Sequence, residues 1–187
     1  VLVDGGTDIL LRGDEDDLGT PEEDMTSLAA VAGIDGIERL VVSLGFGVDR
    51  ICHSHVLENL AGLQHDDAYL GMLSIPPGSA EARSYTAAVD HAQAATPLRP
   101  SIVHGQIAAA LRGRFGDVRF TDRTAGSSLF VNPLMAVYVA ADLTGLARRV
   151  RYLDLLEGTE TDVDVVPAIQ HYRDDLAQRR PHRTFPH

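Results

Sequence analysis

The 187 residues suffice for one domain with a real core, and 44% hydrophobic with 23% charged residues is ordinary for a soluble globular protein. A formal net charge of −11 speaks against a nucleic-acid-binding surface, because phosphate backbones are repelled. No apolar run approaches the roughly eighteen residues of a membrane span, no signal segment leads the chain, and the lone Cys52 leaves no internal disulfide, which suits a reducing cytoplasm.

The chain opens on Val1-Leu2-Val3-Asp4, which reads as a strand already in progress; upstream strands of a longer protein are expected to precede it. Thr20, Pro21 and Glu23 form a Thr-x-x-Glu start signal for a helix that runs through "DMTSLAAVA" and stops near Gly33. A second apolar run, Ile37–Leu44, follows, then a helix over about 55–63 with Ser54 as its cap. Ala68–Ile75 is the third such run, and Ser79 caps a helix reaching about Ala95. The second half reads as mostly helical. Pro100-Ser101 leads into "IVHGQIAAALRG", "DVRFTD" is strand-like, and "SSLFVNPLMAVYVAADL" holds the cap pair Asn132-Pro133. Asp142 restarts a helix, the segment from about Thr161 to Arg179 is helical despite Pro167, and the tail "RRPHRTFPH" is expected to lie over the surface.

The three runs are nearly continuous in hydrophobicity, which suits strands buried on both faces of a parallel sheet. Their alternation with helices predicts one α/β domain over 1–187. It is a doubly wound parallel sheet with helices on both faces and a helical C-terminal extension. Ligands of such sheets collect outside the carboxyl ends of the strands, and here those ends carry "DGGTD" and "LGFGVD".

Candidate chemistry concentrates there. Gly5-Gly6 permit positive φ and close approach of a ligand, and Thr7 adds a hydroxyl. Asp4 and Asp8 can share a proton, hold a divalent cation such as magnesium or calcium, or grip sugar hydroxyls. Arg12, the only base in the first 38 residues, suits a carboxylate or an anionic ligand group. Asp14 and Glu15 are candidates for a loop closing over the site, whereas Asp16, Asp17 and Glu22 read as solvated. At the second tip, Gly45-Phe46-Gly47 and Asp49 form a Gly-x-Gly turn without the third glycine of the dinucleotide fingerprint, since Arg50 stands there. The segment "CHSHVLEN" offers His53 and His55 for proton transfer; with Glu58 they miss the spacing of the helical zinc motif. Neither a Gly-x-Ser-x-Gly elbow nor a Walker loop is present, and all 16 basic residues are arginines.

"VLVDGGTDILLRGDEDDLGTPEED", "LGFGVDRICHSHVLENLAGL", "RPSIVHGQIAAAL" and "VNPLMAVYVAADL…RYLDLL" resemble the later part of a prokaryotic family catalogued as a domain of unknown function, number eleven fifty-two. The resemblance implies a Rossmann-like α/β protein whose front part carries its own glycine-rich strand-to-helix turn. It implies no activity. The residues themselves point to an enzyme acting on a small ribosyl- or phosphate-bearing metabolite at the strand tips. A non-catalytic nucleotide-binding regulatory module is the alternative, and a homo-oligomer is compatible with either.

Overall fold

A computed structural model describes residues 1–48, 50–119, 126 and 129–184, with Asp4 described by its backbone alone. In chain order the elements are β1 (Leu2–Gly5), α1 (Glu22–Ala32), β2 (Leu40–Leu44), α2 (His53–His65), β3 (Tyr69–Ser74), α3 (Ala80–Ala95), α4 (Ile102–Leu111), β4 (Val137–Asp142), α5 (Leu143–Ala147) and α6 (Asp162–Asp174). Two compact units form. The first comprises Val1–Ser43, Asp49–Gly71 and Val139–His187; the second comprises Leu44–Val48 and Met72–Tyr138.

The four strands make one sheet in the order β1-β2-β4-β3. β1 and β2 are parallel, with Leu2 opposite Leu40, Val3 opposite Val41, Asp4 opposite Val42 and Gly5 opposite Ser43. β4 runs the other way. The Leu143 amide donates to Arg39 O at 3.2 Å, which sets the end of β4 against the start of β2, and the Asp142 amide donates to Ala68 O at 2.8 Å, ahead of β3. The all-parallel sheet expected from the sequence is therefore corrected to a mixed one. Its three anticipated strands do point one way, but an unanticipated fourth lies between β2 and β3. The cap signals at Asn132-Pro133 and Asp142 on either side of Val137–Asp142 favour a helix there. Asn132 caps only a 3-10 turn at Pro133–Ala136, accepting from the Leu134 amide at 2.9 Å. Beyond it, Val139 and Ala141 are buried while Tyr138, Ala140 and Asp142 are half-buried, which is the period of a strand.

In the first unit, α1 packs on β1 and on the 3-10 turn Asp8–Leu10 that follows it; Ile9, Leu10, Met25 and Leu28 are buried there. Burying side chains of this size contributes about 2 kcal/mol each, before entropy is subtracted. The helix begins at Glu22 with no side-chain cap, so the expected Thr20 cap is not made. Glu22, Glu23 and Asp24 sit in its first turn, where the helix dipole favours them. α2 begins at His53, two residues earlier than expected, and Ser54 lies inside it instead of capping it.

In the second unit, α3 and α4 pack together, and α4 packs on Pro133–Ala136. Ser79 caps α3 as expected, accepting from the Ala82 amide, and Ser101 caps α4, accepting from the His104 amide. Every residue from Gly105 to Leu111 is buried, which accounts for the small and apolar side chains that this stretch carries on every face apart from Gln106.

Candidate functional site

The loop leaving β1 is tightly tied. Neither Gly5 nor Gly6 has positive φ, so the expected left-handed turn is corrected. Gly5 is needed for a different reason: a Cβ there would lie 2.7 Å from Ile9 Cδ1 and 3.0 Å from Asp24 Oδ2. The Gly6 amide donates to Asp24 Oδ2 and its carbonyl accepts from Ser43 Oγ, both at 2.7 Å. The peptide is thus engaged with α1 on one side and β2 on the other. Thr7 and Asp8 are buried. A Cβ on Gly19 would lie 3.5 Å from Asp8 Oδ2 and 3.0 Å from Ile51 Cδ1, so Asp8 sits beside the chain entering α2. The side chain of Asp4 and the whole of Asp49 lie outside the described residues.

The next loop, Arg12–Asp16, turns back on itself around Glu15, which is fully buried. Its carboxylate accepts from the amides of Arg12 (3.0 and 3.2 Å) and Gly13 (2.8 Å), from Asn59 Nδ2 (2.8 Å) and from the Arg180 guanidinium (2.6 Å). Asp14, 7% exposed, pairs with Arg151 at 2.9 Å and with Arg180 Nε at 3.3 Å. Arg180 also pairs with Glu58 and donates to Asn59 Oδ1 at 3.2 Å. Burial alone would lower the Arg180 pKa; Glu15, Asp14 and Glu58 outweigh it, and the net shift is upward. Arg173, also buried, donates to the carbonyls of Gly13, Glu15 and Asp16 at 3.0–3.3 Å. Its pKa is lowered, chiefly by burial and then by Arg179. Burial likewise lowers the pKa of Arg12, against the pull of Asp14, and its Nε has no hydrogen-bond partner among the described residues. Asp14 and Glu15 are therefore held inside this unit by arginines from the far end of the chain.

Asp16 is exposed, in keeping with its reading as a solvated residue, yet its carboxylate is engaged. Its Oδ1 lies 2.6 Å from His55 Nε2 and its Oδ2 lies 3.0 Å from His182 Nδ1. Burial pushes this carboxyl up, but hydrogen bonds from His182 and His55 prevail and hold it well below the usual carboxylate range. His55 is fully buried and its Nδ1 has no partner among the described residues. Ser54 Oγ, 3.4 Å from Cys52 Sγ, accepts from the Arg183 amide at 2.9 Å, and Arg183 Nε reaches Glu58 Oε1 at 3.0 Å. The first turn of α2, the Arg12–Asp16 loop and residues 180–183 so form one polar centre. The tail lies over the surface as expected, with residues 179 and 181–184 exposed, but Arg180 is half-buried and pairs with Glu15 in an isolated parallel bridge.

Gly45, Phe46 and Gly47 belong to the second unit. There the two glycines do take positive φ (92° and 84°), and the Val48 amide closes the turn on Gly45 O at 2.9 Å. A Cβ on Gly45 would lie 2.8 Å from Ile107 Cδ1, and Phe46 is buried. His53, in the first unit, opens α2 and is exposed.

A groove of about 780 Å³ lies elsewhere in the first unit, between Thr26–Gly33 of α1, the turn Leu153–Leu156 and the start of α6. None of the candidate site residues named from the sequence lines it. Among the described residues, no three of His, Cys, Asp or Glu are grouped to hold a metal ion.

The family model described as "Protein of unknown function (DUF1152)" matches residues 1–171. The chain belongs to this family. The DUF1152 match spans the loops after β1 and the whole of α2 but ends ahead of Arg173, Arg180 and His182. No curated protein and no solved structure matches the chain. The partners that the sequence reading missed, Asn59, Arg151, Arg173, Arg180 and His182, are separated from the Arg12–Asp16 loop by more than forty residues each. The one available signal was charge: nine acids within residues 4–24 face a single arginine locally, so their cations must come from afar.

Proposed function

We propose that this chain is an enzyme acting on a small polar metabolite that bears a ribosyl or phosphate group. The sheet would be the Rossmann-like core of that enzyme, with helices on both faces. Substrate would bind where the loop leaving β1 meets the first turn of α2. The observation that carries this reading is the His55–Asp16 pair. A carboxylate 2.6 Å from Nε2 orients the imidazole, and Nδ1 has no partner among the described residues, the arrangement of a group that takes up and returns a proton. Asp4 and Asp8 would hold a magnesium or calcium ion or the sugar hydroxyls, and Arg12 an anionic group. His53, at the start of α2, would assist in proton transfer. Asp14 and Glu15 act at one remove, by holding the loop that carries Asp16.

The test is thermal melting of the protein with magnesium or calcium and a panel of nucleotides and sugar phosphates, followed by turnover assays. The expected result is a rise in midpoint for at least one combination, and a turnover loss of about 100-fold or more in His55→Gln with the ligand shift retained. If no combination moves the midpoint, the reading fails.

A non-catalytic, metabolite-binding regulatory module is favoured by a different observation. His55 is fully buried, and the Gly6 peptide is already engaged on both sides. That reading predicts the same ligand shift with no turnover in either form.

A further inference from the structure

Residues 180–183 enter the Arg12–Asp16 loop as a guest strand enters a receptor. The Arg180 amide donates to Asp14 O, and the Asp16 amide donates to Arg180 O at 3.0 Å, so both backbone polar groups of Arg180 are held by the loop. From that anchor the side chain uses all three guanidinium nitrogens. Nε meets Asp14 Oδ1 at 3.3 Å, NH1 meets Glu58, and NH2 meets Glu15 Oε1 at 2.6 Å and Asn59 Oδ1 at 3.2 Å. A planar fork satisfies four acceptors spread this way; an ammonium, which is a point charge, does not.

The receptor is assembled largely without its guest. Glu15 is held by the amides of Arg12 and Gly13 and by Asn59 Nδ2, and Asp14 by Arg151. Asn59 Nδ2 also donates to Leu10 O at 3.0 Å, which turns its Oδ1 towards Arg180. All these residues fall within the family match, whereas the guest lies beyond it.

We infer that Asp14, Glu15, Glu58 and Asn59 form a binding site for the arginine side chain of an extended segment, which Arg180 of the same chain occupies. The site captures its ligand by a short backbone bridge plus one guanidinium, the manner in which exposed edges take up peptide strands. A free arginyl segment therefore takes the site once Arg180 is removed. This inference stands on the carboxylate geometry and is independent of the enzymatic reading.

The experiment compares the full-length protein with its Arg180→Ala variant in thermal melts. The probes are ethylguanidinium, ethylammonium and an acetylated Arg-Pro-His-Arg peptide copied from the tail, at about 10 mM or below. The variant is expected to melt lower and to be restored by ethylguanidinium and, at lower concentration, by the peptide, but not by ethylammonium. The parent, whose site is full, is expected to show no shift. Adding Glu58→Gln to Arg180→Ala should abolish the restoration. Equal effects of the two small cations, or equal shifts in parent and variant, overturn the inference. Should Arg180→Ala not fold alone, refolding it with each cation reads the same selectivity, and failure with both also overturns the inference. Restoration by ethylguanidinium with no advantage for the peptide would overturn the backbone part.

Discussion

Glu15 illustrates how a buried carboxylate is tolerated at all. It has lost its water entirely, and amides, an amide side chain and a guanidinium have replaced it on both oxygens. Glu15→Gln removes the charge that Arg180 faces while keeping the shape, and Gln presents donors where the Arg12 and Gly13 amides need acceptors. Breaking one side of a buried pair in this way costs about 3 kcal/mol. The midpoint of urea unfolding is expected to fall accordingly, and a change below about 1 kcal/mol would mean the pair contributes little. Asp16 makes a different prediction, through pH. Its folded pKa is depressed, so its stabilising contribution is present above the unfolded value of about 3.9 and is lost as pH falls below it. The stability gap between the parent and Asp16→Asn should therefore be widest near neutrality and close as pH drops from about 5 towards 2. Chemical unfolding at several pH values measures it; a gap that widens on acidification contradicts the assignment.

At the scale of elements, legibility followed locality. The strands β1, β2 and β3 announce themselves as apolar runs, and the caps of α3 and α4 lie within three residues of the amides they serve. β4 did not, because its neighbours compete with it. The signals at Asn132-Pro133 and Asp142 are genuine, but they begin a 3-10 turn and the five-residue α5, and the strand occupies the gap between. The polar centre was half legible for the same reason. Asp14, Glu15 and His55 stood out within short motifs, whereas Arg180, which joins Asp14, Glu15 and Glu58, is written 165 residues after Glu15 in a tail that looks solvated. Where a cap is local its effect can be forecast. Asp142 Oδ1 accepts from the Gly145 amide at 2.7 Å just as β4 passes into α5. Asp142→Ala should cost about 1 kcal/mol of unfolding free energy, and Asp142→Asn should recover most of it. Equal losses in the two variants would mean that the charge, not the cap, is what matters.

Charge also acts on the molecule as a whole. A formal charge of −11 repels itself in the compact state, yet the Arg12–Asp16 loop is among the best-compensated parts of the chain, with Arg151, Arg173 and Arg180 drawn onto it. The excess sits elsewhere. Asp154, Glu157, Glu160 and Asp162 crowd the rim of the 780 Å³ groove without an ion pair among the described residues. Salt distinguishes these two populations, since raising it from about 0.01 to 0.15 M shortens the screening length from about 30 to 8 Å, which weakens exposed repulsion far more than buried pairs. The melting temperature at pH 7 should therefore rise with salt over this range. Neutralising the four rim residues to Asn and Gln should raise the low-salt value and flatten the response. A midpoint that falls with salt would place the balance with the attractive network around Glu15, and the rim substitutions would then leave the slope unchanged.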